Sequence, residues 1–279
     1  MSAGKVLVFG LGWLGTAFAK IQARSGRLVV GTVRSETRAA ELRSADANLG
    51  QISIVPYELG RPLPEALKAF AGGARAVIAL APRGAGVDPT LFTDGMADLA
   101  NQLSECGVGA ITLISSTGVY PDDIPLAREE DAVDVPSRWS GISWLGIEQR
   151  VAAAAQDVPM IVLRFGGLFG PGRDPSRFLG DKLLSLPDDP VNMIQLDDCL
   201  GVLEAVGKLD RSLTLNACSP VHPSRLEFYS TAATARGTAP PGVAPGPRQS
   251  PTGRIVCTDR LLRETTYTFR HPDPRAAFS

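Results

Sequence analysis

Residues 4–15 read Gly4-Lys5-Val6-Leu7-Val8-Phe9-Gly10-Leu11-Gly12-Trp13-Leu14-Gly15, an apolar run that leads directly into G-x-G-x-x-G. Val6–Phe9 suits a buried strand. Gly10 permits a tight turn at its end, Gly12 lets backbone approach a pyrophosphate, and Gly15 lets the next helix pack closely on the strand. With Leu11 in the turn and Trp13 and Leu14 opening the helix, N–H groups and the positive dipole end face the phosphates. A second apolar run, Leu28–Val33, follows at the spacing of a β-α-β unit. The glycine pattern alone is weak; a strand before it and a helix and strand after it make this a dinucleotide-binding unit.

The second strand does not end in Asp or Glu, which would accept hydrogen bonds from the ribose 2′-hydroxyl of NAD. It runs instead into Arg34 and Ser35, with Arg38 a helical turn on. Guanidinium groups at that position suit a 2′-phosphate. The sequence therefore points to NADP, against the alternative that Arg34 and Arg38 are solvated surface charges.

Composition narrows the function classes. The chain has 279 residues, 44% hydrophobic and 20% charged, with a net charge of −1. This is the balance of a soluble globular enzyme, with no basic field to attract nucleic acid or anionic membrane. No signal-peptide pattern or membrane-spanning run is evident. Cys106, Cys199, Cys218 and Cys257 are scattered, and His222 and His271 are the two histidines, so no metal site is expected. Reduced thiols and a cytoplasmic location are the expectation.

Strand-like and helix-like segments alternate along the chain, the mark of a parallel sheet. Strands are expected at Ile52–Val55, Ala76–Ala81, Ala110–Ile114, Met160–Phe165 and Leu213–Ala217. Helices are expected at Leu63–Phe70, Asp88–Cys106 and residues 143–155. After Gly172 the segments shorten and lose regularity. Thr238–Gly253, with five prolines and three glycines, reads as an extended excursion. Arg254–Val256, Arg260–Glu264 and Tyr267–Phe269 read as a strand, a helical turn and a closing strand. The fold class is α/β: a Rossmann-type, doubly wound parallel sheet with a small C-terminal substrate-binding lobe. Residues 1–170, with 195–218 returning to them, form the expected NADP-binding domain. Residues 171–194 and 219–279 form the expected substrate lobe.

Several motifs carry a family likeness: Gly10–Gly15, Ser115–Tyr120, Leu163-Arg164-Phe165 with Gly170-Pro171-Gly172, Asn192–Asp198, Leu226–Tyr229, and the tail from Arg254. Through them the chain resembles the extended short-chain dehydrogenase/reductases, especially bacterial NAD-dependent epimerase/dehydratases of atypical type. The resemblance implies a Tyr-x-x-x-Lys pair, the Tyr exchanging a proton with substrate and the Lys lowering its pKa and holding the nicotinamide ribose. Aligned on Glu148, Ser140 stands at the Tyr position and Trp144 at the Lys position, and residues 137–150 contain neither Tyr nor Lys. The usual acid and its activator are both missing.

The resemblance places Ser116 where a serine or threonine bonds the substrate oxygen; the bland role is finishing a strand and capping a turn. Tyr120 is a packing residue in the family and here a candidate substitute acid. Ser140 lacks an activating neighbour, and Trp144 suits a core position as well as a stacking one. Leu80, Ala81, Ser115 and Phe165, at strand ends, join the glycine loop as expected cofactor contacts. Arg177, Asn192, His222 and Arg225 are the candidate substrate contacts, each with an alternative as a surface charge or an internal hydrogen bond. The reading is an NADPH-dependent reductase of a small polar, anionic metabolite, with an imine or other activated electrophile favoured by the missing acid. Two alternatives stand beside it: a catalytically inactive NADP-binding sensor, and an NADP-containing epimerase or lyase. Neither nucleic acid nor membrane is an expected partner, and a homodimer is left open.

Overall fold

The computed structural model describes residues 4–45, 47–82, 87–136, 141–178, 182–245 and 253–279. The apolar run of the glycine motif forms β1 (Lys5–Phe9), and the helix opened by the motif is α1 (Trp13–Arg24), burying Leu14, Phe18, Ala19 and Ala23 on one face. There follow β2 (Leu28–Val33), α2 (Glu36–Ala45), β3 (Ile52–Pro56), α3 (Glu65–Ala71) and β4 (Arg75–Ile78). α4 (Pro89–Glu105) begins where the Asp88 carboxylate accepts the Thr90 and Leu91 N–H groups, with Pro89 in the first turn. β5 (Ala110–Ser116) and a short β6 (Leu126–Ala127) precede α5 (Trp144–Ala155), capped by the Ser143 hydroxyl. β7 (Met160–Phe165), β8 (Gly167–Phe169), β9 (Met193–Gln195), α6 (Leu196–Val206), β10 (Leu213–Ala217), α7 (Arg225–Ala235), β11 (Ile255–Val256) and α8 (Asp259–Thr265) complete the order.

Seven strands form one sheet in the order β10-β7-β5-β4-β1-β2-β3. β1 pairs in parallel with β2 on one side and β4 on the other, so the order reverses beside the glycine motif. That reversal is where α/β sheets open a crevice for ligands. Contacts divide the described chain into two units. One comprises Met1–Ser115, Asp134–Leu163 and Gly207–Thr214; the other comprises Ser116–Val133, Arg164–Val206 and Leu215–Ser279. This differs from the division expected at residue 170. Short parallel pairings contribute: β6 takes β11, which draws residues 116–133 to the C-terminal segment, and β8 takes β9 within residues 164–206.

The core of the first unit joins Leu7, Phe9 and Ile78 to Met96, Leu99 and Leu103 of α4 and Ile147 and Val151 of α5. Leu91 in the first turn of α4 lies off this core and is 70% exposed. The second unit has its own cluster, with Phe169 edge-on to Phe228 at 5.4 Å between ring centres. α7 was not foreseen, although its signal is legible. Ser224 and Glu227 form a reciprocal capping box, and Phe228, Ala232 and Ala233 are buried. Two readings are corrected. β4 stops at Ile78, short of Ala81, as the chain leaves the sheet towards Pro82. Tyr267–Phe269 is not a strand; the backbone instead turns onto Asp198.

Asp198 is fully buried in the first turn of α6 and accepts three hydrogen bonds, from the Tyr267 hydroxyl (2.9 Å) and the N–H groups of Arg270 (2.6 Å) and His271 (3.0 Å). One carboxylate thereby fixes the C-terminal segment. Replacing Asp198 by Ala strands three donors and is expected to cost about 3–5 kcal/mol in urea unfolding. A loss below about 1 kcal/mol would show that water takes over these bonds.

Candidate functional site

The glycine loop is built for close approach of backbone. Gly10 has φ +100°, and a Cβ there would lie 2.8 Å from the Ala79 carbonyl oxygen and 3.1 Å from the Leu80 side chain. A Cβ on Gly15 would overlap the Gly10 carbonyl oxygen. The loop is pinned to β2 through Thr32, whose hydroxyl accepts the Gly10 N–H (3.1 Å) and whose carbonyl accepts the Leu11 N–H (2.8 Å). Leu11 and Leu14 are buried beneath the turn. The Gly12 N–H is taken by Gly10 (2.8 Å), and the α1 ladder opens with Thr16 N–H on the Gly12 carbonyl (3.0 Å). Gly12 supplies no side-chain cap, and the Leu14 and Gly15 N–H groups precede that first bond. An uncapped helix start behind a loop whose Gly10 and Gly12 carry no side chain and whose Leu11 side chain is buried fits the pyrophosphate of a dinucleotide.

At the end of β2, Arg34 is exposed and makes no ion pair among the described residues. Arg38 is committed to Glu41 at 2.8 Å, and its backbone N–H reaches the Ser35 hydroxyl at 3.3 Å. Leu80 is half-buried against the core and Ala81 is exposed beyond the end of β4. Phe165 is buried at the end of β7.

The end of β5 carries two serines with different employment. Ser115 is buried and donates to Glu148 of α5 at 2.5 Å. Ser116 accepts the Gly118 N–H at 3.0 Å and keeps its own hydroxyl proton for another acceptor. Tyr120 is 3% exposed, donates to Asn216 Oδ1 at 2.5 Å, and accepts from Arg164 at 2.9 Å. Burial pushes its pKa up to about 12, against the opposing pull of Arg164. Its hydroxyl is thus held protonated inside a network in which Arg164 also bonds the Glu129 carbonyl (2.7 Å). Ser140 lies outside the described residues. Trp144 packs against the core of the first unit.

The candidate substrate contacts separate. The Asn192 side chain is spent on backbone, bonding the Arg254 carbonyl (2.9 Å) and the Val256 N–H (2.8 Å). His222 Nδ1 bonds the Val191 carbonyl at 3.1 Å, which makes it the protonated nitrogen of the neutral ring. Arg225, first residue of α7, is half-buried, and its Nε is buried with no partner. Arg177 is exposed on a pocket lined also by Gly172, Arg173, Asp174, Phe178 and Arg236. Sequence reasoning passed over Arg236, which sits at the C-terminal end of α7. It also passed over the side chain of Arg254, whose guanidinium bonds the carbonyls of Thr117 (3.1 Å) and Pro121 (3.3 Å) and pairs with Asp122. Both lie far along the chain from what they touch. Among the described residues, no group of three His, Cys, Asp or Glu side chains is placed to hold a metal. No described helix is long and apolar enough to cross a membrane.

Residues 6–186 match the model of the NAD dependent epimerase/dehydratase family. The chain belongs to that family. Protein YeeZ of Escherichia coli K12 is 28% identical over 280 residues, covering 97% of both chains. UDP-glucuronic acid 4-epimerase from Bacillus cereus, solved with UDP-glucuronic acid and NAD, superposes with a TM-score of 0.73 at 18% identity over 98% of this chain and 97% of that one. A functionally unknown conserved protein from Silicibacter pomeroyi gives 0.74 at 22% identity, over 99% and 97%. At these identities the solved structures establish the fold. The family rests on nicotinamide dinucleotides, which the glycine loop fits. None of the four tyrosines of this chain is followed by Lys at the fourth position; Arg61, Ile124, Ala233 and His271 stand there.

Burial lowers the His222 pKa below its ordinary 6.5, outweighing the hydrogen bond to Val191. The unfolded chain then binds a proton at pH values where the folded one does not, so stability is full above 6.5 and falls as pH drops through the folded value. Thermal denaturation between pH 6.5 and 5, above the ordinary carboxylate range, should show this slope, and His222→Asn should flatten it.

Proposed function

We propose that this chain binds NADP(H) and reduces a small anionic acceptor that is already activated, such as an iminium. The observation that carries the reading is the fate of its tyrosines. None has the lysine partner, and the one beside the strand-end serines, Tyr120, is locked between Arg164 and Asn216. Reduction of a ketone leaves an alkoxide that needs a proton in the transition state, which a positioned acid normally supplies. An iminium that receives hydride becomes a neutral amine with no proton added. When bound, the nicotinamide supplies that hydride. The protein's own groups do the rest. Gly10–Gly15 and the start of α1 hold the pyrophosphate, and Arg34 takes the 2′-phosphate. The Ser116 hydroxyl, which keeps its own proton, is suited to orient a polar atom of the acceptor, whose anionic group calls for a cationic partner.

Dinucleotide binding without turnover is the second reading, favoured by the same missing pair. Epimerase chemistry draws support from the likeness to UDP-glucuronic acid 4-epimerase, but it too calls for a group that moves protons at the substrate.

Calorimetric titration should show NADP+ binding more tightly than NAD+. Arg34→Ala should cost about 1.5–3 kcal/mol of NADP+ affinity, roughly tenfold to hundredfold, and leave NAD+ unchanged. Equal affinities in the unaltered protein would remove the NADP assignment.

A screen of NADPH consumption should find acidic cyclic imines turned over and the matching oxo acids not, with Tyr120→Phe retaining the rate. Reduction of oxo acids at the same rate would overturn the iminium assignment. Tight NADP+ binding with no acceptor consumed would leave the non-catalytic reading.

A further inference from the structure

The guanidinium of Arg43, in the last turn of α2, is held by both of its terminal nitrogens. One donates to the Ile54 carbonyl of β3 at 2.9 Å, and the other to the Glu36 carboxylate, also at 2.9 Å. β3 ends the seven-stranded sheet, so the arginine takes a carbonyl on its outer edge, where no further strand follows. Glu36 lies seven residues earlier and is the acidic residue of the first turn of α2. The contact therefore runs back along the helix, from its last turn to its first. Glu36 stands two residues beyond Arg34, and chain geometry keeps their Cα atoms within about 7 Å. Arg38, between them and Arg43, is paired with Glu41 at 2.8 Å. Arg34 is exposed, with no ion pair among the described residues.

We infer that Arg43 sets the nucleotide preference without touching the nucleotide, by holding the Glu36 carboxylate that stands next to the Arg34 site. Left unheld, Glu36 would act in two ways. Its charge would oppose a 2′-phosphate at Arg34. Its oxygens would also be free to accept from a ribose 2′-hydroxyl, the bond an acid makes in NAD sites. With Arg43 anchored on β3 and its fork closed on Glu36, neither effect operates, and Arg34 meets the phosphate unopposed. The two side chains of the pair are 48% and 70% exposed, so the pair adds little to stability, and its consequence is electrostatic. Arg43 is thus a positioning residue acting through Glu36. The inference rests on the NADP(H) reading and concerns how that preference is made.

Calorimetric titration of the full-length chain with NADP+ and with NAD+, at fixed ionic strength, tests it. Arg43→Gln should weaken NADP+ about threefold to fivefold, the repulsion between a unit charge and a dianion at roughly 10 Å in water. NAD+ should bind unchanged or tighter. In a Glu36→Gln background the same substitution should leave NADP+ affinity unaltered, since no carboxylate remains to be held. An equal loss in both backgrounds would place Arg43 on the phosphate itself and overturn the inference. A parallel loss of both nucleotides would mark a structural role, seating α2 on β3, and overturn it as well. Equal affinities for NADP+ and NAD+ in the unaltered protein would remove the NADP reading and this inference with it. A preference for NADP+ that survives Arg43→Gln undiminished would remove this inference alone.

Discussion

The turn at Gly10 is the constraint on which the first unit depends. The chain must leave β1 and enter α1 under the Ala79 carbonyl, and a side chain at Gly10 would run into that oxygen. The positive φ there, the Thr32 hydrogen bonds and the missing Cβ on Gly15 are one arrangement, since each brings α1 nearer the strand end. The same arrangement leaves the helix start uncapped, so the features that let this backbone close up also let it receive an anion.

The second unit is organised by buried charge. Arg164, Tyr120, Asn216 and Glu129 form a connected network, with the Asn216 N–H on Glu129 at 3.0 Å and Arg260 within 3.6 Å of the same carboxylate. Asp198 does similar work for the C-terminal segment. Polar groups buried so completely must be fully satisfied, which makes these networks demanding of geometry and poor places for a group that must give up a proton. Tyr120 is the clear case: its hydroxyl is well placed to hold a loop and badly placed to act as an acid.

The loss of Tyr-x-x-x-Lys alters what this family fold can do at neutral pH. What remains at the end of β5 is a serine hydroxyl with one lone pair engaged, next to a serine tied to a buried glutamate. Such groups orient and polarise. They do not supply protons at the rate of an activated tyrosine.

How much was legible in sequence follows from the range of the interactions involved. The β1–α1–β2 unit could be read because its signals are local: an apolar run, glycines at fixed offsets, and Arg34 at the end of a strand. The Ser224–Glu227 cap of α7 is equally local. Other assignments needed the fold. Asn192 carries an amide suited to a ligand, yet it serves a strand 62 residues away. Arg254 holds a loop more than 130 residues before it, and Arg236 meets Asp174 only because α7 packs on the turn that Asp174 caps. Tyr120 looks the same in sequence whether it faces a substrate or a buried arginine. Sequence by itself determined the dinucleotide loop, the absence of the proton-transfer pair and the alternating α/β order, because backbone sterics and residue chemistry act over a few positions. The tertiary structure decided which polar side chains are spent on holding the protein together and which are left facing a pocket, because that depends on partners far apart in the chain.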